Sequence, residues 1–131
     1  MSDAKQTRVV AVLEDMFFAS KIREAAKSAK VELEIFKNST GLIESLISNH
    51  PTLFIVDLNS KKFNALDLIE ELKASQELNN ISTLGYLPHV QEDLKKAAIQ
   101  AGYDVVMPRS RFSRELVDIL KKCTVNHDLI I

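Results

Sequence analysis

Leu53-Phe54-Ile55-Val56-Asp57 is the stretch on which the reading of this chain turns. Four consecutive β-prone apolar residues read as a strand buried on both faces, as parallel sheets require. The carboxylate that ends the stretch falls at the strand's C-terminal end, where open α/β sheets place their ligand crevice. Upstream, Val9-Val10-Ala11-Val12-Leu13 is a second run of the same kind, closed by Glu14-Asp15. Two strands that both end in carboxylates predict one acidic pocket at the carboxyl edge of a sheet.

Outward from these two runs the chain alternates strand and helix. The first strand is expected over 8–13, and Ile22, Ala25, Ala26 and Ala29 give the next helix one apolar face. Val31, Leu33 and Ile35 alternate with Glu32, Glu34 and Phe36, the pattern of an edge strand with a wetter face. Ser39-Thr40-Gly41 starts a helix with Leu42, Ile43, Leu46 and Ile47 as its buried stripe, and Pro51 stops it. A third helix is expected over 65–75, carrying Leu66, Leu68, Ile69 and Leu72. Ile81–Leu87 reads as the fourth strand despite Gly85. A fourth helix over 91–101 turns Leu94, Ala97, Ala98 and Ala101 inward and stops at Gly102. Val105-Val106-Met107 is the fifth strand, ended by Pro108, and Ser110 or Ser113 is expected to cap a last helix packing through Leu116, Ile119 and Leu120.

Five βα units predict an α/β fold, a doubly wound parallel sheet with helices on both faces. Right-handed crossovers and the switch-point rule set the ends of strands one and three side by side, which brings Glu14, Asp15 and Asp57 together. The 131 residues suit one domain, with a core over about 8–122 and an apolar tail over 124–131 ending in Leu129-Ile130-Ile131. A composition of 46% hydrophobic and 27% charged residues is that of an ordinary globular chain. A net charge of −1 argues against wholesale nucleic-acid or membrane binding, and no helix-turn-helix or aromatic stacking strip is evident. One cysteine, Cys123, excludes an internal disulfide and suits a reducing compartment; it reads as a small packing residue. With no apolar leader and no run long enough to span a bilayer, the expectation is a cytoplasmic protein.

Three carboxylates in one pocket repel one another, so one takes a raised pKa unless a cation intervenes. Mg²⁺ is the natural cation, since it prefers hard oxygen ligands. With it, Asp57 becomes a nucleophile able to form an acyl phosphate, and Arg109 at the end of strand five is placed to pair with the transferred oxygens. Asp15 has a second use, as the cap of the first helix. Glu14 is long enough to reach Arg109 or Lys61 instead. His89 sits near the pocket rim, while His50 and His127 lack the neighbours a metal site needs.

On these residues the chain resembles the receiver domains of two-component response regulators, of the chemotaxis (CheY-like) type, in an atypical or pseudo-receiver form. Glu14-Asp15 matches the family's acidic pair, Asp57 its phospho-acceptor, and Ala97–Gly102 the end of its fourth helix. Phe63-Asn64-Ala65-Leu66-Asp67-Leu68-Ile69 aligns without gaps to its methionine-aspartate-glycine-leucine stretch. The resemblance implies the flavodoxin-like strand order 2-1-3-4-5. It implies a metal set of Glu14, Asp15, Asp57 and the Asn59 backbone carbonyl, with Mg²⁺ as the ion, and puts Arg109 at the family's lysine. Leu87, or Gly85 by a shifted count, falls where receivers carry a Thr or Ser hydroxyl, Val106 replaces the switch aromatic, and Ser60-Lys61 replaces methionine-proline. Pro108-Arg109 inverts the lysine-proline pair.

The resemblance further implies a stand-alone receiver-like domain of a phosphorelay, phosphorylated at Asp57 by a sensor histidine kinase or phosphotransfer protein. Its output would be contact with a target through the helix 4–strand 5–helix 5 face, and a homodimer is left open. The alternative is a phosphorylation-independent interaction module with Arg109 salt-bridged to Asp57. It is not expected to be an enzyme beyond self-phosphorylation from a donor. A flavodoxin-type carrier or small hydrolase ranks lower, because Glu14-Asp15-Met16-Phe17-Phe18 would repel a phosphate without a cation to offset it and no nucleophilic triad or P-loop is present.

Overall fold

The computed structural model describes residues 7–89 and 91–125. In chain order it contains β1 (Arg8–Val12), α1 (Met16–Ala29), β2 (Glu32–Phe36), α2 (Leu42–Ser48), β3 (Leu53–Asp57), α3 (Ala65–Ala74), β4 (Ser82–Leu87), α4 (Glu92–Ala101), β5 (Val105–Pro108) and α5 (Arg109–Val125). The five strands form one parallel sheet in the order β2-β1-β3-β4-β5. The doubly wound sheet and its order therefore stand as expected.

Strand alternation divides the interior into two layers. Val9, Ala11, Leu53, Ile55, Leu84, Tyr86 and Met107 pack against α1 and α5. Val10, Val12, Phe54, Val56 and Leu87 pack against α2, α3 and α4. Because β1, β3 and β4 are covered on both faces, their apolar runs are nearly continuous, whereas β2 lies at an edge with Glu32 and Glu34 exposed. Arg8 ties that edge down: its guanidinium donates to Glu34 Oε1, Ser45 Oγ and the Asn49 carbonyl. Thr83 and Asp104 do the same between β4 and the turn into β5, through a hydroxyl–carboxylate bond and two backbone N–H donors.

Gly85 serves a close approach rather than a turn. A Cβ there would stand 2.7–2.9 Å from the Leu58 side chain, which lies over β4. At the end of α4, Gly102 has φ 131, and its N–H reaches the Ala98 and Ile99 carbonyls, as a helix stop should.

Some expectations need correcting. Ile47 is 40% exposed, so α2 buries only Leu42 and Leu46 and rests on the sheet through a narrow face. Of Leu94, Ala97, Ala98 and Ala101 on α4, only Ala98 is fully buried. Pro108 ends β5 from within, which a missing N–H permits on an edge strand. α5 begins at once with Arg109, so neither Ser110 nor Ser113 caps it; Ser113 lies in its second turn and accepts from Lys21 Nζ at 2.9 Å. The helix also runs to Val125, into what the composition marks as tail. His127 and Leu129-Ile130-Ile131 lie outside the described residues. Cys123 is buried, its thiol pushed up to about 11 by burial, consistent with packing.

Candidate functional site at the carboxyl edge

β1 and β3 are neighbours in register, with Val12 opposite Val56, so the residues beyond both strands emerge at one edge. Asp57 is half-buried there. One of its oxygens accepts the Asn59 N–H at 2.9 Å, and the other accepts no hydrogen bond among the described residues. Burial is the main influence on its carboxyl group and raises its pKa. The Asn59 N–H and the Arg109 charge oppose that rise, and Glu14 and Asp15 add to it. These mutual influences place Glu14, Asp15, Arg109 and Asp57 in one electrostatic neighbourhood.

Within it, Asp15 is fully committed. Its Oδ1 accepts the Phe17 and Phe18 N–H groups, capping α1, and its Oδ2 accepts from Arg109 at 2.9 Å. The bond from the Phe18 N–H holds its carboxyl below the ordinary value most strongly; burial opposes this, and Arg109 adds to it. The capping use weighed for Asp15 is therefore the one the structure displays. Glu14 is exposed and takes the Ser60 hydroxyl at 3.2 Å; it forms no ion pair with Arg109 or Lys61. His89 is exposed, with Nε2 3.4 Å from the Gln91 amide nitrogen.

Arg109 is held from two further directions. It opens α5 directly after the β5 edge, and its guanidinium carbon lies 4.4 Å from the Phe18 ring centroid. A planar cation can stack on an aromatic face and pair with a carboxylate at the same time. The pairing expected with Asp57 goes instead to Asp15.

The metal set of Glu14, Asp15, Asp57 and the Asn59 carbonyl is not assembled as a cage. Among the described residues, no three His, Cys, Asp or Glu side chains stand together closely enough to hold an ion. Asp15 accepts hydrogen bonds on both oxygens, and the Asn59 N–H donates to Asp57, which leaves the Asn59 carbonyl outside that bond. The cation that stands among these acids is Arg109, 2.9 Å from Asp15.

Leu87 stands on the other face of β4. It pairs with Pro108 and belongs to the layer that faces α3 and α4, away from Asp57. The residue level with Asp57 on β4, and on the same face, is Tyr86. Its ring packs between Phe18, at 5.1 Å, and Phe112, at 5.3 Å. Its hydroxyl is buried without a hydrogen-bond partner. Burial pushes that phenol well above its ordinary pKa, and the Asp57 charge adds to the rise. Counting back from Gly102 misses Tyr86; two-residue alternation from Asp57 across the β3–β4 ladder is the signal that finds it.

No family model matches the chain, and no curated protein does. Solved structures do. A response regulator signal receiver domain from Bermanella marisrubri is 21% identical with a TM-score of 0.78, covering 92% of this chain and 99% of that one. A CheY-like receiver domain protein from Methanospirillum hungatei JF-1 is 16% identical with a TM-score of 0.77, over 95% and 98% of the two chains. The Mn²⁺-bound form of response regulator Rcp1 is 17% identical with a TM-score of 0.76, over 95% and 96%. The chain thus has the fold of response-regulator receiver domains from end to end of those domains. No helix of the described residues is long and apolar enough to cross a membrane.

Proposed function

We propose that this chain is a receiver-type interaction module of two-component signalling, a binding protein rather than an enzyme, whose acidic pocket is held by Arg109 in place of a metal ion. The observation that carries this reading is the 2.9 Å Arg109–Asp15 ion pair beside Asp57. A guanidinium there supplies permanently one positive charge, half that of a divalent ion. Its support on Phe18 joins the start of α5 to the start of α1. Signalling then proceeds by contact with another protein. The face formed by α4, β5 and α5 offers an exposed Ile99 and the cations Lys96 and Arg114 for that contact, with Arg111 paired to Glu115 at 3.0 Å.

A second reading is favoured by the oxygen of Asp57 that accepts no hydrogen bond among the described residues. In it, Asp57 takes a phosphoryl group from a histidine kinase or phosphotransfer protein with Mg²⁺ bound, which requires Asp15 to release Arg109. Incubation with acetyl phosphate and Mg²⁺, then intact-protein mass spectrometry, separates the two. The first reading expects no mass gain. A gain of one phosphoryl group, lost in Asp57→Asn, would overturn it and establish the second.

A further inference from the structure

A cleft of about 540 Å³ opens between the first turns of α1 and α5 and the loop after β4. It lies beside the acidic pocket, and none of the described residues lining it is acidic. Lys21 and Arg109 enter it from two different helices, and Ser110 and Ser113 bring hydroxyls. Lys21 has no carboxylate partner among the described residues, only the Ser113 hydroxyl. Arg109 spends one of its N–H groups on Asp15 and leaves the rest without a hydrogen bond among those residues. Phe17, Phe18 and Pro88 form the apolar part of the wall. Phe17 is 90% exposed, an aromatic ring left in water at the cleft's mouth with Met16, 41% exposed, next to it.

We propose that this cleft binds a phosphomonoester carried on a flat aromatic or heterocyclic body. Lys21, Arg109 and the Ser110 and Ser113 hydroxyls take the phosphate oxygens, and Phe17 stacks on the ring. Cations and hydroxyls converging from separate elements match several acceptor oxygens on one small group, which a phosphate presents in greater number than a carboxylate. An exposed ring beside them loses water contact only when a second flat surface covers it. The volume is in the range of small-ligand sites, which combine apolar walls with a few convergent polar groups. Asp57 takes no part in the lining, so this site does not depend on phosphorylation chemistry.

Amide NMR titrations with adenosine monophosphate, phenyl phosphate and inorganic phosphate test it. Saturable shifts at Phe17, Lys21 and Ser113 are expected with both organic phosphates, with inorganic phosphate weaker by about tenfold. Lys21→Ala and Phe17→Ala, both on the exposed side of α1, should each weaken binding by about tenfold while leaving the fold's dispersion intact. Asp57→Asn should leave it unchanged, which separates this site from the proposed function. Absence of saturable shifts, or shifts that persist equally in Lys21→Ala and Phe17→Ala, would overturn the proposal; equal affinity for inorganic phosphate would overturn the stacking half.

Discussion

At Asp57, burial and neighbouring acids favour the neutral carboxyl group, while the Asn59 N–H and Arg109 favour the charged one, and burial prevails. A carboxyl group whose folded pKa exceeds its unfolded value binds more protons in the folded state. Stability therefore falls as pH rises from the unfolded value, near 3.8, through the raised folded one, and the penalty is full above that. Asp57→Asn is thus expected to raise the melting temperature at neutral pH, with the gain shrinking to nothing as pH drops below the unfolded value. A gain independent of pH would contradict this. Tyr86 makes a sharper case, since its hydroxyl is buried and unpartnered. Leaving such a group unsatisfied costs about 1–3 kcal/mol, so Tyr86→Phe should hold or raise stability by about 1 kcal/mol in urea unfolding. A loss of that size would mean the hydroxyl has a partner in solution. The acids and Arg109 are legible in the sequence as a group, because strand ends in a parallel sheet share an edge. Which acid Arg109 chooses is not legible, because that depends on Phe18 and on α5 starting without a loop.

Among the elements, α1 ends on Lys30 in the left-handed region at φ 61, with its N–H on the Ala26 and Lys27 carbonyls. A side chain with a Cβ is strained there by about 1 kcal/mol, and glycine is not. Lys30→Gly sets relief of that strain against the lysine's own interactions and the added freedom of the unfolded chain, so stability should change by less than about 1 kcal/mol in the same unfolding measurement. A loss well above that would show that contacts of the lysine side chain outweigh the backbone strain. The strands are readable because apolar runs of this length, ended by polar residues, have few other uses. Helix starts are less so. Ser110 and Ser113 look like caps, yet Pro108 ends the edge strand with its φ already near helical values, and Arg109 leads straight into α5. Asp15, by contrast, is a cap that the local sequence announces.

Across the molecule, the two layers are unequal. α1 and α5 share a continuous core with the sheet and with the Phe18–Tyr86–Phe112 cluster. α4 contributes one fully buried residue, Ala98, and exposes Ile99 by half. Local opening should track that difference. Amides of α4 are expected to exchange through openings at least ~1 kcal/mol easier than those of β1 and β3, as read by native-state hydrogen exchange. Uniform protection would contradict it. The same asymmetry makes the α1–α5 side, where Arg109 pairs with Asp15, the more deeply packed wall of the acidic pocket. The strand order is legible from topology rules alone, whereas the weakness of α4 is not, because alanine-rich faces read as buried whether or not they are covered. Whether Arg109 is the resident cation of that pocket is tested most directly by titration with Mn²⁺, read through paramagnetic broadening of the Asp57 and Asn59 amides. The native chain should show no saturable, site-specific broadening, and Arg109→Ala should gain it. Saturable broadening centred on Asp57 in the native chain would contradict the claim that Arg109 stands in for the metal.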